Sequence, residues 1–407
     1  MPTELRTSAS RANAVLNCFE PLAVPVTGPI SNVSHAQKGI IMKVKAAIAT
    51  AKEQPLVIED VEIDEPRPDE VQVRLVATGV CHTDAIVRDQ WYPTPLPAVL
   101  GHEGAGIVEK VGSAVTGIAP GDRVVLSFAS CGACTSCNSG HPAYCTDFAM
   151  RNFGGARPDG STVFRAKDGS AISSHFFGQS SFASVTNVAE RSVVKVSETA
   201  PLAILGPLGC GVLTGAGAVL NVLAPRPGSS FVLFGTGAVG LSGLLAAVAA
   251  GATTVIAVDI VDSRLEFART VGATHTINSR NEDPVARIKE ITGGGADYAL
   301  DATGNKVVFR QMIDSMGVLG HAAIVGLARP GTESPVDIGS SMLSGASVTF
   351  VLEGDAVPQV LIPQLIALYE AGKFPFDKLI RQYAFEDINQ AFEDSENGVT
   401  LKPVVTF

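Results

Sequence analysis

The sequence predicts an α/β protein: a β-rich first part, then a parallel sheet covered by helices on both faces. Three observations carry that reading. Short β-branched runs separated by Pro, Asp and Glu occupy residues 43–80 and again 106–128, as in antiparallel strands and hairpins. Past Ala200, short apolar strands alternate with helical segments, the pattern of parallel β-α-β units. The chain has 407 residues, too many for one compact core, so two domains are expected.

The first 41 residues have no clear period and lack the basic start and apolar stretch of a signal peptide. Arg6, Arg11 and Glu4 make a poor mitochondrial address, and MKVKAAIATA from Met42 reads as a natural chain start. Residues 1–41 are therefore expected to be a dispensable extension, with Cys18 an idle thiol. VKAAIA, PLVIEDVEI and EVQVRLVATGV read as strands. GIVEKVGSAVTGIAPGDRVVLSF reads as strand, turn and strand, with Asp122 the turn acid. Residues 131–145 form a Gly- and Ser-rich loop, and residues 146–190 are irregular and aromatic. A small-residue helix is expected over residues 201–223. Strands FVLF (231–234), TVIAVDI (254–260), THTIN, ADYALDATG, HAAIVGL and SVTFVLE (347–353) then alternate with helices. Two helices and a last strand, LKPVVTF, close the chain, and that strand is expected to return to the first domain. The resulting division is residues 42–211 and 353–407 in one domain and 212–352 in the other.

Composition narrows the function. Hydrophobic residues make up 46% and charged residues 17%, which suits a large packed core and disfavours disorder. A net charge of −10 argues against nucleic acid or an anionic membrane as partner. No apolar run approaches the roughly 20 residues a bilayer span needs. A cytoplasmic protein acting on a small molecule is expected.

Two groups of metal-ligating residues stand out. Cys131, Cys134, Cys137 and Cys145 have the spacing C-x2-C-x2-C-x7-C on one loop. Four thiolates complete a tetrahedral zinc with no open position, so this site is expected to be structural. Metal binding would supply the folding energy of a loop with little core of its own. An iron–sulfur cluster is the competing occupant. The second group begins in GVCHTDAIVRDQWYPTPLPAVLGHEGAG, residues 79–106, with Cys81 and His102. The remaining cysteine, Cys210 in GPLGCGVLTG, would make a Cys2His set with one position free, as in a catalytic zinc site. On spacing alone, Cys210 reads more readily as a core cysteine than as a ligand.

Gly235-Thr236-Gly237-Ala238-Val239-Gly240 is a G-x-G-x-x-G turn after a strand and before a helix, and Asp259 ends the next strand. This is the dinucleotide fingerprint, with the helix N-terminus facing the pyrophosphate. Asp259 would accept hydrogen bonds from the ribose hydroxyls, which favours NAD over NADP, although Arg264 lies close.

With GVCHTD at 79–84, GHEGAGIVEKVG at 101–112, the four-cysteine loop, LGCGVLTG at 208–215 and GTGAVG at 235–240, the chain resembles the zinc-dependent medium-chain alcohol dehydrogenases from Met42 to Phe407. Its wording is most like that of the bacterial aryl-alcohol branch. The resemblance implies a GroES-like catalytic domain, a Rossmann domain, two zinc ions per subunit and a homodimer or homotetramer. It implies that Cys81, His102 and Cys210 hold the catalytic zinc, that Asp84 orients His102, and that Glu103 stands behind the metal. Thr83 is implied to take the alcohol proton. His82 and Lys402 are placed near the pyrophosphate, and Thr214 and Val239 near the nicotinamide. Trp91, Tyr92, Phe128, Phe153, Phe176 and Phe177 fall in segments that form the substrate cleft of relatives. Many members carry a histidine three residues after the Thr83 position; here it is Ile86, so the relay must end on a ribose hydroxyl, water or His82. The expected reaction is interconversion of a primary, aromatic or allylic alcohol and its aldehyde. The alternatives are oxidation of a glutathione adduct of formaldehyde, and a non-catalytic zinc- and nucleotide-binding protein.

Overall fold

The computed structural model describes residues 42–407; the expected extension, with Cys18, lies outside the described residues. Three sheets organise the chain. A five-stranded sheet joins Met42–Ala49 to Val57–Ile63 in an antiparallel hairpin. A seven-stranded sheet centres on Glu70–Gly79, which pairs with Gly104–Val111, Val185–Ala189 and the last strand, Lys402–Thr406. Apolar side chains alternate along these strands, and Val71, Val73, Leu75 and Val108 pack in a small core between them.

The third sheet has six strands, all paired in parallel. Its order runs His275–Asn278, Thr254–Asp259, Ser230–Phe234, Ala296–Asp301, Met316–Ile324, Ser347–Phe350. The sheet therefore reverses direction of growth between Ser230–Phe234 and Ala296–Asp301. In such sheets ligands bind at that reversal, outside the carboxyl ends of the strands. Helices Ala238–Ala249, Asp262–Thr270, Pro284–Thr292, Lys306–Ser315 and Ile338–Ser344 are the crossovers.

The chain end returns as the pattern predicts: Val404, Val405 and Thr406 pair with Gly79, Thr78 and Ala77. Two local expectations change. The helix over residues 201–223 is broken: Pro207 and Gly209 shape a tight turn, and Cys210 sits at φ −148°, ψ −81°, before a new helix Gly211–Gly217. The strand over residues 347–353 stops at Phe350, and Glu353, Gly354 and Asp355 follow with φ of 47°, 66° and 45°. Both breaks put a polar side chain where a continuing element would have turned it away.

Candidate active site

Four segments meet around Cys81, His102 and Cys210. The Glu70–Gly79 strand delivers Cys81 at the start of helix His82–Arg88. His102 and Glu103 lead into strand Gly104–Val111, and the break at Cys210 turns its thiol toward them. Ligand atoms of Cys81, His102, Glu103 and Cys210 all lie within 4.8 Å of one another. Gly79 makes room for this: a Cβ there would stand 1.8 Å from Glu103 Oε2.

Each side chain is held. Asp84 Oδ1 lies 2.9 Å from His102 Nδ1 and accepts from Gly101 N at 3.0 Å, while its Oδ2 accepts from Cys81 N at 2.9 Å. One carboxylate thus aligns both side chains. His102 Nε2 is fully buried and has no hydrogen-bond partner. A buried ring nitrogen aimed at two sulfurs and left unpaired is what a bound cation would satisfy. The contact between the two thiols, Cys210 donating, holds Cys81 well below its usual range and Cys210 well above. Lys402 is 2% exposed, and its Nζ lies 2.7 Å and 2.6 Å from the two oxygens of Glu103. Burial works against its charge, and Glu103 more than offsets that.

The four-cysteine loop forms the second cluster, its sulfurs also within 4.8 Å of one another. Cys131 and Cys137 sulfurs are 3.9 Å apart, against about 3.8 Å expected for tetrahedral zinc–sulfur bonds. Backbone donors at Cys137 and Thr146 pull Cys134 down to about 6, while burial pushes Cys145 up to about 12. His141 of this loop pairs with Asp355 at 2.9 Å, and the Tyr144 hydroxyl donates to Phe350 O at 3.0 Å. The loop therefore clamps the turn that follows the sheet's last strand.

The fingerprint glycines divide their work as the motif requires. Gly235 adopts φ 90°, closed to side chains. A Cβ on Gly240 would sit 2.0 Å from Gly235 O, whereas one on Gly237 would meet nothing within 4 Å. Gly237 thus faces open space at the N-terminus of helix Ala238–Ala249, where a pyrophosphate fits. A cavity of about 310 Å³ runs from there past Val239 and Arg264 to Cys81, His82 and Lys402. A larger cavity, about 690 Å³, lies elsewhere, lined by Phe309, Ile324, Val348 and Phe350 at the sheet edge. It touches neither cysteine cluster, so the smaller one is the candidate cofactor cleft.

These observations meet the sequence comparisons at one point. Residues 67–198 match the Alcohol dehydrogenase GroES-like domain and residues 238–370 match the Zinc-binding dehydrogenase family. Geraniol dehydrogenase of Castellaniella defragrans is 45% identical over 365 residues, covering 89% of this chain and 97% of that protein. The chain belongs to the zinc-dependent medium-chain alcohol dehydrogenases. In that family it is an alcohol–aldehyde oxidoreductase that uses zinc and NAD. Among solved structures, benzyl alcohol dehydrogenase of Acinetobacter calcoaceticus is 50% identical with a TM-score of 0.88, covering 90% of this chain and 99% of that one. A zinc-binding alcohol dehydrogenase domain protein of Burkholderia ambifaria is 55% identical with a TM-score of 0.89, with the same coverage.

Within this family frame the aromatic residues divide. Phe177 stacks on His102 with ring centroids 4.5 Å apart, and Phe176 meets the same ring edge-on at 5.3 Å. Phe153 packs on both phenylalanines and on Tyr92. Phe128 joins through Phe148, a residue without a sequence signal of its own. Trp91 stands apart: it is 39% exposed, carries the Arg329 guanidinium 3.8 Å over its ring and meets His82 edge-on. Thr83 Oγ1 lies 3.8 Å from Cys81 Sγ, and Ile86 is 2% exposed. Thr214 sits one turn past Cys210, its N–H donating to Cys210 O. Asp259 already accepts four bonds, from Thr236 N, Thr236 Oγ1, Ile260 N and Val261 N. A ribose hydroxyl would have to replace the Thr236 hydroxyl there.

Two residues near the centre escaped the sequence. Gln179 donates to His102 O at 2.9 Å and accepts from Gly104 N at 3.0 Å. Glu353 is 6% exposed, with Oε1 3.8 Å from Cys210 Sγ; burial pushes its carboxyl up to about 7. Neither carries a motif: an acid in LEGD reads as a surface turn until the fold buries it.

Proposed function

We propose that the enzyme oxidises primary alcohols whose carbinol carbon is attached to an aromatic ring or a carbon–carbon double bond, and reduces the matching aldehydes. The buried cluster of Phe176 and Phe177 on His102 carries this reading, because it makes the surroundings of the metal-ligating side chains apolar and aromatic. The names of two relatives, geraniol and benzyl alcohol dehydrogenase, support it: both alcohols have that unsaturated neighbour.

Cys81, His102 and Cys210 would hold one zinc, and Cys131, Cys134, Cys137 and Cys145 a second. When bound, the first zinc supplies a Lewis acid that acidifies a hydroxyl, and NAD supplies a hydride acceptor. The chain's own residues do the rest. Asp84 fixes the His102 tautomer with Nε2 free. The phenylalanine wall orients the alcohol and excludes water. Thr83 Oγ1 takes the alcohol's proton. Ile86 carries none onward, so His82 or solvent is the next acceptor within the chain's reach. Lys402 neutralises Glu103, leaving the centre with one fewer net negative charge.

The domain division at residues 212 and 353 is part of the proposal, supported by the pairing of the last strand with Glu70–Gly79. So is a cytoplasmic location; no single helix among the described residues is long and apolar enough to cross a membrane. A symmetric dimer through the sheet edge at Ser347–Phe350 completes it.

The test is kcat/KM for benzyl alcohol, geraniol, ethanol and glycerol, read at 340 nm with NAD. The two unsaturated alcohols are expected to lead by at least about tenfold, the scale of one extra apolar contact. A preference for ethanol or glycerol would sink the reading.

A further inference from the structure

We propose that Glu70, Arg157 and His175 form a buried positioning device that holds the Phe176–Phe177 wall against His102. The inference rests on the reading that this wall seats the alcohol.

The wall is an unfavourable piece of backbone. His175, Phe177, Gly178 and Ser180 have φ of 59°, 50°, 70° and 52°. Three of those four are side-chain-bearing residues in the left-handed region, a cost that persists only where surroundings over-determine it. On the inner side, the turn is stitched to the His102 segment. Gln179 bonds His102 O and Gly104 N, Ser180 Oγ donates to Val99 O, and Ser181 N donates to Gly101 O.

On the outer side stands the device. Arg157 grips Glu70 with two bonds, 2.6 Å and 2.9 Å, and both are about 5% exposed or less. His175 Nε2 lies 3.4 Å from Glu70 Oε1, within ion-pair range but without hydrogen-bond geometry. Its Nδ1 lies 3.1 Å from Ser174 Oγ, which itself accepts from Val163 N. After that bond Ser174 Oγ keeps one hydrogen and one lone pair for Nδ1, so it holds the ring in either neutral tautomer. A buried line of contacts runs from Val163 through Ser174 and His175 to Glu70, and His175 stands one residue before Phe176. Breaking it frees the outer edge of a turn whose conformation needs both edges.

None of the three touches the reacting centre, so their effect must travel through Phe177. A double-mutant cycle detects that. His175→Asn, a residue tolerated at positive φ, and Phe177→Leu are each expected to raise the benzyl alcohol KM about tenfold with kcat changed less than about twofold. The double variant is expected to match the worse single, because the pair acts as one unit. An additive rise of about 100-fold overturns the proposal. Should His175→Asn fail to fold, Arg157→Lys takes its place in the same cycle, keeping the charge and losing the two-pronged grip. The visible spectrum of the cobalt(II)-substituted enzyme without substrate gives an independent readout. His175→Asn and Phe177→Leu should shift its bands alike, since both release the ring from His102. An unchanged spectrum in His175→Asn overturns the proposal even where the alcohol preference holds. A shifted spectrum with no aromatic preference overturns only the substrate reading.

Discussion

Single side chains in this protein act through what they deny water. Asp84 reads in the sequence as the acid of GVCHTD, and the fold buries it completely so that its two oxygens serve Cys81, Gly101 and His102 at once. Glu70 is the harder case. Nothing in DEVQVRL separates it from a solvated strand-edge acid, yet it is 4% exposed. Burial alone would raise its carboxyl; His175 and the bonds from Arg157 outweigh that and hold it well below the usual carboxylate range. A depressed carboxylate contributes stability that is present above its unfolded value, about 4.3, and lost as pH falls toward the folded one. Glu70→Gln is therefore expected to lower stability at pH 7 by about 3 kcal/mol, since it leaves Arg157 without its anion. The gap to the parent protein should narrow on acidification below about pH 4. Urea denaturation of both proteins from pH 7 to pH 3 measures this, and a gap independent of pH would contradict it.

Elements show where motif and packing agree. The strand–turn–helix around Gly235 was legible because its three glycines serve three distinct purposes that no other residue can combine. The structure separates those purposes. Gly237→Ala adds a methyl into open space on the cofactor side at an ordinary φ of −77°. It is expected to weaken NAD binding at least about tenfold while leaving the melting temperature nearly unchanged. Gly240→Ala puts its Cβ 2.0 Å from Gly235 O and should instead lower the melting temperature by several degrees. Calorimetric NAD titration and thermal melts of the two variants check the contrast. The break at Cys210 was not legible. Pro207, Gly209 and Gly211 disfavour a continuous helix, but only the close approach of Gly206 to Glu103 O and of Gly209 to Leu126 O fixes where the chain turns.

At the scale of the whole molecule, one face remains to be covered. Val318, Leu319, Ile338, Met342 and Leu343 are each more than 75% exposed, beside the unpaired edge of Ser347–Phe350 and the cavity of about 690 Å³. Exposed apolar side chains beside a free strand edge are what a second copy would bury. Sedimentation velocity is expected to show at least a dimer at micromolar concentration, and Leu343→Glu should shift it toward monomer; a monomeric parent protein would refute this. What the amino-acid order determined by itself was local: strand and helix periods, the fingerprint glycines, and four cysteines close enough in sequence to meet on one loop. These depend on neighbours a few residues away, so spacing records them. What only the tertiary structure decided was long-range. Cys210 meets Cys81 and His102 across a helix break. Lys402 reaches back from the last strand to neutralise Glu103. His175 and Glu70, far apart in the chain, close on each other behind the aromatic wall. Burial and pairing of this kind arise when separate elements pack, and no local pattern encodes them.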